Sequence, residues 1–135
     1  MAGSGFSTAV RNEILTARFK TAAPVYGCCC DGDPTDTGDL AGQEIAAASA
    51  YARTACVFGD NAAAGTISNT AALEFPAASG GNWGTIGWLA IAVADVEAAD
   101  DMIASGPLTA SKVIDDGDQL VFAIGNIDIA IAVQA

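Results

Sequence analysis

Alternation of large apolar residues with small or polar ones predicts short β-strands along most of the chain after residue 24. In the segment 127–133, Ile127, Ile129, Ile131 and Val133 fall on one face, which is a clear period of two. The segment 85–94 predicts the strongest strand, with bulky residues at both parities. Further strands are predicted at 24–30, 51–58, 66–75, 102–108, 112–114 and 120–124.

The N-terminal residues follow a helical period instead. A helix over 6–20 would place its large apolar residues near one face, namely Phe6, Val10, Ile14, Leu15 and Phe19. Arg11, Asn12 and Arg18 would lie elsewhere on the helix. Ser4 or Ser7 is positioned to cap its first turn.

One helix followed by about seven or eight strands predicts a mainly β fold. We expect an antiparallel β-sandwich or barrel with the N-terminal α-helix packed on it. The helical segment would span 1–22 and the β-sandwich domain 23–135, as one domain overall. Residues 94–104 have a helical composition, but a long loop or hairpin is favoured there.

The composition adds a small-residue core to this picture. Hydrophobic residues make up 52% of the chain, enough for a folded domain, yet thirty residues are alanine and 15 are glycine. Because each alanine buries little area, the core gains less per residue than one built from leucine or phenylalanine. We therefore expect a modestly stable monomer that gains stability by association.

The charge balance excludes several classes of function. With 16 acidic and 5 basic residues, the net charge is -11, which argues against nucleic-acid binding and against anionic membranes. The absence of histidine removes the commonest general base and metal ligand. The first 20 residues lack a signal-peptide pattern, and the apolar stretch 86–96 is too short to span a bilayer. We expect a soluble protein that is made in a cytoplasm and is not secreted by an ordinary signal.

Four cysteines lie at Cys28, Cys29, Cys30 and Cys56, without a zinc-binding spacing. On a strand, Cys28 and Cys30 would point to one face and Cys29 to the other. Reduced, buried thiols are the favoured interpretation, and one disulfide to Cys56 is the alternative.

Clusters of carboxylates predict turns rather than metal sites. The loop 31–39 fails the calcium-loop pattern, because Asp36 stands where glycine is needed and Gly42 stands at the glutamate position. The cluster 115–118 contains an Asp-Gly turn signal, and the acidic residues of 95–101, Asp100 among them, predict a solvated face. No nucleophile motif accompanies them. We expect no enzyme activity, no metal and no cofactor.

Two groups of residues are candidates for contacts with other molecules. Arg11, Arg18 and Lys20 place three of the five basic residues on the predicted helix, either as a solvated face or as a contact for an acidic partner. Trp83 and Trp88 flank glycines at a loop-to-strand junction and suit an interface or a sugar. A core role is favoured for Trp83, whereas both roles stay open for Trp88.

The order of short motifs along nearly the whole chain resembles a family of small tailed-bacteriophage virion proteins, labelled head-decoration, minor tail or tail-fibre-like. The more specific motifs are Phe75-Pro76-Ala77-Ala78 and Trp83-Gly84-Thr85-Ile86. The others are Asn12-Glu13-Ile14-Leu15, Asp33-Pro34-Thr35-Asp36, Glu44-Ile45, Tyr51-Ala52-Arg53, Asn69, Gly106-Pro107-Leu108, Ser111-Lys112-Val113 and Gly117-Asp118. The chain departs from the family pattern at 28–30 and at 94–101.

This resemblance implies a non-enzymatic particle component that works as a homo-oligomer, with a trimer favoured. We expect a capsid decoration, or cement, protein on the head surface of the virion, bound to the major capsid protein through the basic helix. Removing residues 1–20 would then abolish particle binding and leave the β-domain folded. The alternative is a minor tail or tail-fibre-like protein that binds a host-surface glycan.

Overall fold

The computed structural model describes residues 5–22, 24–98 and 101–131. Helix α1 (Thr8–Leu15) continues directly into a π-helical segment, Thr16–Thr21. Within these residues, eight strands follow: β1 (Val25–Cys30), β2 (Thr54–Cys56), β3 (Thr66–Ser68), β4 (Leu73–Glu74), β5 (Gly84–Ala92), β6 (Met102–Ile114), β7 (Val121–Phe122) and β8 (Asp128–Ala130).

The strands form one large antiparallel sheet and two small ribbons. The large sheet has the order β2-β1-β5-β6, and β3 pairs with β8 while β4 pairs with β7. The sheets do not close into a barrel, so the predicted mainly β fold with one N-terminal helix is confirmed in its sandwich form.

The two central strands of the large sheet, β1 and β5, bury side chains on both faces, because a separate cluster covers each face. On one face, Cys29, Leu89 and Ile91 join the main core, which also contains Leu15 and Phe19 of the helical segment. On the other face, Cys28 and Cys30 pack with Leu40 and small alanines in a second cluster. The predicted split of the three consecutive cysteines between two faces is confirmed, and all four thiols are free and buried.

The helix begins as predicted but turns a different face inward. The Ser7 side chain accepts a hydrogen bond from the Val10 amide at 3.3 Å and caps α1. Arg11, Leu15 and Phe19 are buried, whereas Phe6 and Val10 are exposed. The predicted apolar face was therefore wrong in its first two turns, because Arg11 buries its side chain and bonds to the β-domain. The alternative cap Ser4 lies outside the described residues.

Most predicted strands are present with shorter bounds. The predicted strand 66–75 is divided into β3 and β4, and the two strands predicted within 102–114 form the single strand β6. The last strand spans only Asp128–Ala130, and Val133 lies outside the described residues, as does Asp100. Strands β5 and β6 are antiparallel neighbours, in agreement with the loop or hairpin favoured for 94–104, but residues 102–104 already belong to β6. Residues 99–100 lie outside the described residues.

The acidic turns are also confirmed. In the loop 31–39 the Asp33 carboxylate accepts a hydrogen bond from the Thr35 amide at 2.8 Å, which is a local turn contact. In the turn after β6, Asp118 N donates to Asp115 O at 2.9 Å, and Gly117 has a φ of 92°. Among the described residues, no helix combines the length and apolar character needed to cross a membrane.

Candidate functional site

An apolar cleft of about 870 Å³ opens between the edge strand β6 and the layer formed by β7, β8 and the helical segment. Leu89 and Ile91 form its floor on β5, and Ile14 and Phe19 contribute from the helical segment. Strand β6 supplies one wall over residues 103–112, and residues 120–131 supply the other. We call this feature the interlayer cleft.

The irregular pairing of β6 explains why the cleft stays open. Ile86 pairs with Lys112 and Trp88 pairs with Pro107, so four residues of β6 lie opposite Gly87 alone. Such a bulge bends a strand and disrupts its ladder. The wall also contains Ala104, Gly106 and Ala110, whose small side chains leave space between the layers. Within the described residues the outer edge of β6 has no strand partner.

The five basic residues of the chain have different environments. Arg53 and Arg11 are buried, and Lys20 lies 3.4 Å from the Asp60 carboxylate in an exposed ion pair. Arg18 and Lys112 are exposed, form no ion pair within the described part of the chain, and both line the interlayer cleft. The cleft therefore combines an apolar floor with two positive charges and one carboxylate, Asp128, in a chain of net charge -11.

The structure separates the three basic residues that the sequence grouped as a contact. The Arg11 guanidinium donates from Nη1 to the Ile131 carbonyl oxygen at 3.1 Å and from Nη2 to Thr8 Oγ1 at 2.9 Å. Arg11 therefore links the helix to Ile131, which follows β8, and its charge does not face solvent. Arg18 and Lys20 are exposed, and their binding to a partner stays a prediction.

The two tryptophans also have different environments. Trp83 is only 9% exposed, stacks edge-on against Tyr51 at a centroid distance of 5.3 Å, and donates its indole N–H to the Ser49 carbonyl oxygen at 2.9 Å. It occupies the core position that the sequence favoured, which leaves no open ring face for a sugar. Trp88 is half-buried and packs against the cysteine cluster on the second face of the sheet.

A buried polar network centred on Arg53 was missed by the sequence analysis. Arg53 contacts the carboxylates of Glu44 and Asp101, and Glu44 also accepts a hydrogen bond from the Tyr51 hydroxyl at 2.6 Å. Burial by itself lowers the pKa of Arg53, but the hydrogen bonds to Glu44 and Asp101 outweigh it and raise the pKa. Tyr51 and Arg53 share one parity in the predicted strand 51–58. A cation on the same face as a core tyrosine was the available signal in the sequence for a buried polar network.

The thiols lack the environment of a reactive cysteine. Burial raises the pKa of Cys30 and of Cys56 to about 12, and it raises the pKa of Cys28 and Cys29 further. A nucleophilic cysteine needs a lowered pKa and access to solvent. These cysteines act as small hydrophobic core residues instead.

Comparison with known proteins identifies the family of the chain. No curated protein matches the sequence significantly. A family model described as podophage GP4 fiber I protein gp80 matches residues 5–130, which is almost the whole chain and includes every element that forms the cleft. The chain therefore belongs to this fibre-like family of tailed-phage virion proteins.

Proposed function

We propose that this structural virion protein is a subunit of a phage fibre and acts there as a homo-oligomer. The observation that carries the proposal is the family match over residues 5–130, because the family is named for a fibre protein. An open apolar cleft supports association, since exposed apolar surface of this kind usually marks an interaction site. The alanine-rich core supports it further, because a thin core gains stability from a neighbouring subunit.

Labelling of purified particles tests the fibre assignment. Gold-conjugated antibodies raised against the recombinant chain would be imaged on intact virions by electron microscopy. We expect gold particles on fibres and at their attachment points. An even distribution of gold over the head shell would overturn the fibre assignment and favour a decoration protein.

Head decoration is the second candidate, with the major capsid protein as partner. The acidic surface and compact domain favour it, because an acidic body would face solvent while a basic patch meets the shell. The structure reduces that patch, since Arg11 is buried and Lys20 is paired with Asp60. Arg18 is the remaining helix cation for such a contact.

The structure also changes the test of the decoration model. Removing residues 1–20 would delete Leu15 and Phe19, which are 1% and 5% exposed in the main core, so the β-domain would lose part of its packing. The substitution Arg18→Glu changes an exposed side chain instead. Under the decoration model it abolishes binding to particles that lack the protein, whereas unchanged binding would contradict that model.

A host-glycan role within the fibre assignment depends on Trp88, whose ring is half-buried rather than enclosed. Glycan-array binding that is lost in the variant Trp88→Ala and retained in wild type would support this role. Equal signals for both proteins would refute it.

A further inference from the structure

The turn between β5 and β6 carries an exposed segment that is both apolar and acidic. We call residues 93–97 the hairpin tip. Val93 is 44% exposed and Val96 is 69% exposed, and Asp95 and Glu97 are exposed beside them. Contact with another molecule at this turn would bury apolar surface that the single chain leaves in water.

The hairpin tip is held in a defined conformation although its side chains are exposed. Arg53 Nη1 donates to the carbonyl oxygens of Ala94 and Val96 at 2.9 and 3.1 Å. The Val93 amide donates to the Asp101 carbonyl oxygen at 2.9 Å. Because the backbone is fixed before any contact is made, docking of the tip loses little conformational entropy.

The interlayer cleft is complementary to the hairpin tip in both polarity and charge. Leu89, Ile91 and other aliphatic side chains form much of its lining and match Val93 and Val96. Arg18 and Lys112 outnumber the one lining carboxylate, Asp128, and match the acidic residues of the tip. Arg53 holds the backbone of the tip through the Ala94 and Val96 carbonyl oxygens, and residues 93–97 do not line the cleft of their own chain.

We propose that the hairpin tip of one copy inserts into the interlayer cleft of a second copy of this chain. The two surfaces differ, so the contact is head-to-tail, and repetition closes a ring or extends a filament. This inference rests on the proposed homo-oligomeric function and names the surfaces that would join the subunits. Val93 and Val96 would enter the apolar part of the cleft, and Lys112 would face Asp95.

Charge reversal on either side tests the contact with the full chain. Self-association would be measured by sedimentation equilibrium for wild type, Lys112→Glu, Asp95→Lys and the double variant. We expect each single reversal to weaken association by about 10-fold, because attraction becomes repulsion, and the double variant to recover most of the loss. Lys20→Glu is the matched control, since it makes the same charge change outside the cleft, and it should leave the association constant nearly unchanged.

Three results would overturn the inference. They are a monomeric wild type at every concentration, equal weakening by Lys112→Glu and Lys20→Glu, and no recovery in the double variant. Circular dichroism melting confirms that each variant is folded, and because Lys20, Asp95 and Lys112 are exposed, the fold should persist. If the double variant recovers association but the gold-conjugated antibodies label the head, the fibre proposal fails and this inference stands. If gold labels fibres but rescue is absent, only this inference fails.

Discussion

Removal of the Arg53 side chain is the most demanding test of how this fold is stabilised. The side chains of Arg53, Glu44 and Asp101 are 2%, 8% and 4% exposed. The guanidinium donates to Glu44 through Nε at 2.9 Å and through Nη2 at 2.7 Å, and Nη1 contacts Asp101. The substitution Arg53→Met keeps an unbranched apolar stem and removes the guanidinium, with its charge and all of these donors.

The expected loss of stability follows from the two carboxylates that stay behind. Removing one partner of a buried ion pair costs about 3–5 kcal/mol, because the remaining charge is buried without compensation. Here one cation serves two carboxylates and two backbone carbonyls, so we expect the upper part of that range. Against a typical free energy of unfolding of about 5–15 kcal/mol, this would be a large fraction of the total.

Urea unfolding at pH 7, followed by the fluorescence of Trp83 and Trp88, measures this loss. Lys20→Met is the matched control, because Lys20 pairs with Asp60 in solvent and such pairs contribute about 0–1 kcal/mol. The triple variant Glu44→Gln, Arg53→Met and Asp101→Asn removes the charges together and should regain more than half of the loss. A loss below about 1 kcal/mol at pH 7, equal to that of Lys20→Met, would refute the assignment of Arg53 as a central stabilising contact.

Three further predictions concern the thiols, one glycine and Tyr51. Burial raises the pKa values of the thiols, so above about pH 9 the unfolded chain releases protons that the folded chain keeps. The free energy of unfolding therefore falls as pH rises, by at most about 1.4 kcal/mol per pH unit for each thiol. Urea titrations from pH 8 to pH 10 measure this slope, and Cys56→Ala should make it shallower; a flat profile would contradict buried thiols. Gly65→Ala should cost about 1–3 kcal/mol more than Gly42→Ala. Both glycines have a positive φ, but only at Gly65 would a Cβ collide with the Arg11 guanidinium and approach the Ile131 carbonyl oxygen at 3.3 Å. Equal thermal shifts for the two variants would refute the crowding at Gly65. Tyr51→Phe should cost about 1–3 kcal/mol in urea unfolding, because the hydroxyl bridges the Glu44 carboxylate and a buried strand amide; a loss within error of zero would show that water replaces the bridge.

Local patterns in the sequence were sufficient to predict much of the fold. The period of two placed most strands, the Asp-Gly signal placed the turn at 115–118, and Ser7 marked the start of the helix. Strand parity also divided the three consecutive cysteines between two faces. These features depend on residues close together in the chain, so their physical causes are visible in the sequence.

The helix face and the candidate site could not be predicted in the same way. Periodicity favoured Phe6 and Val10 as buried residues, but Arg11 is buried instead because Ile131, 120 residues away, supplies a carbonyl oxygen for its guanidinium. Arg18 and Lys112 come from opposite ends of the chain and share one cleft only because the edge strand bulges away from its neighbour.

By itself, the sequence determined the class of the fold, the small-residue core, the acidic surface and the kinship with phage virion proteins. Each of these follows from composition, short-range pattern or motif order. Tertiary structure alone decided which cations are buried, which are paired and which remain available, since that depends on the partners brought together across the chain. It also decided that the space between the layers stays open, because the register of β6 leaves it unfilled.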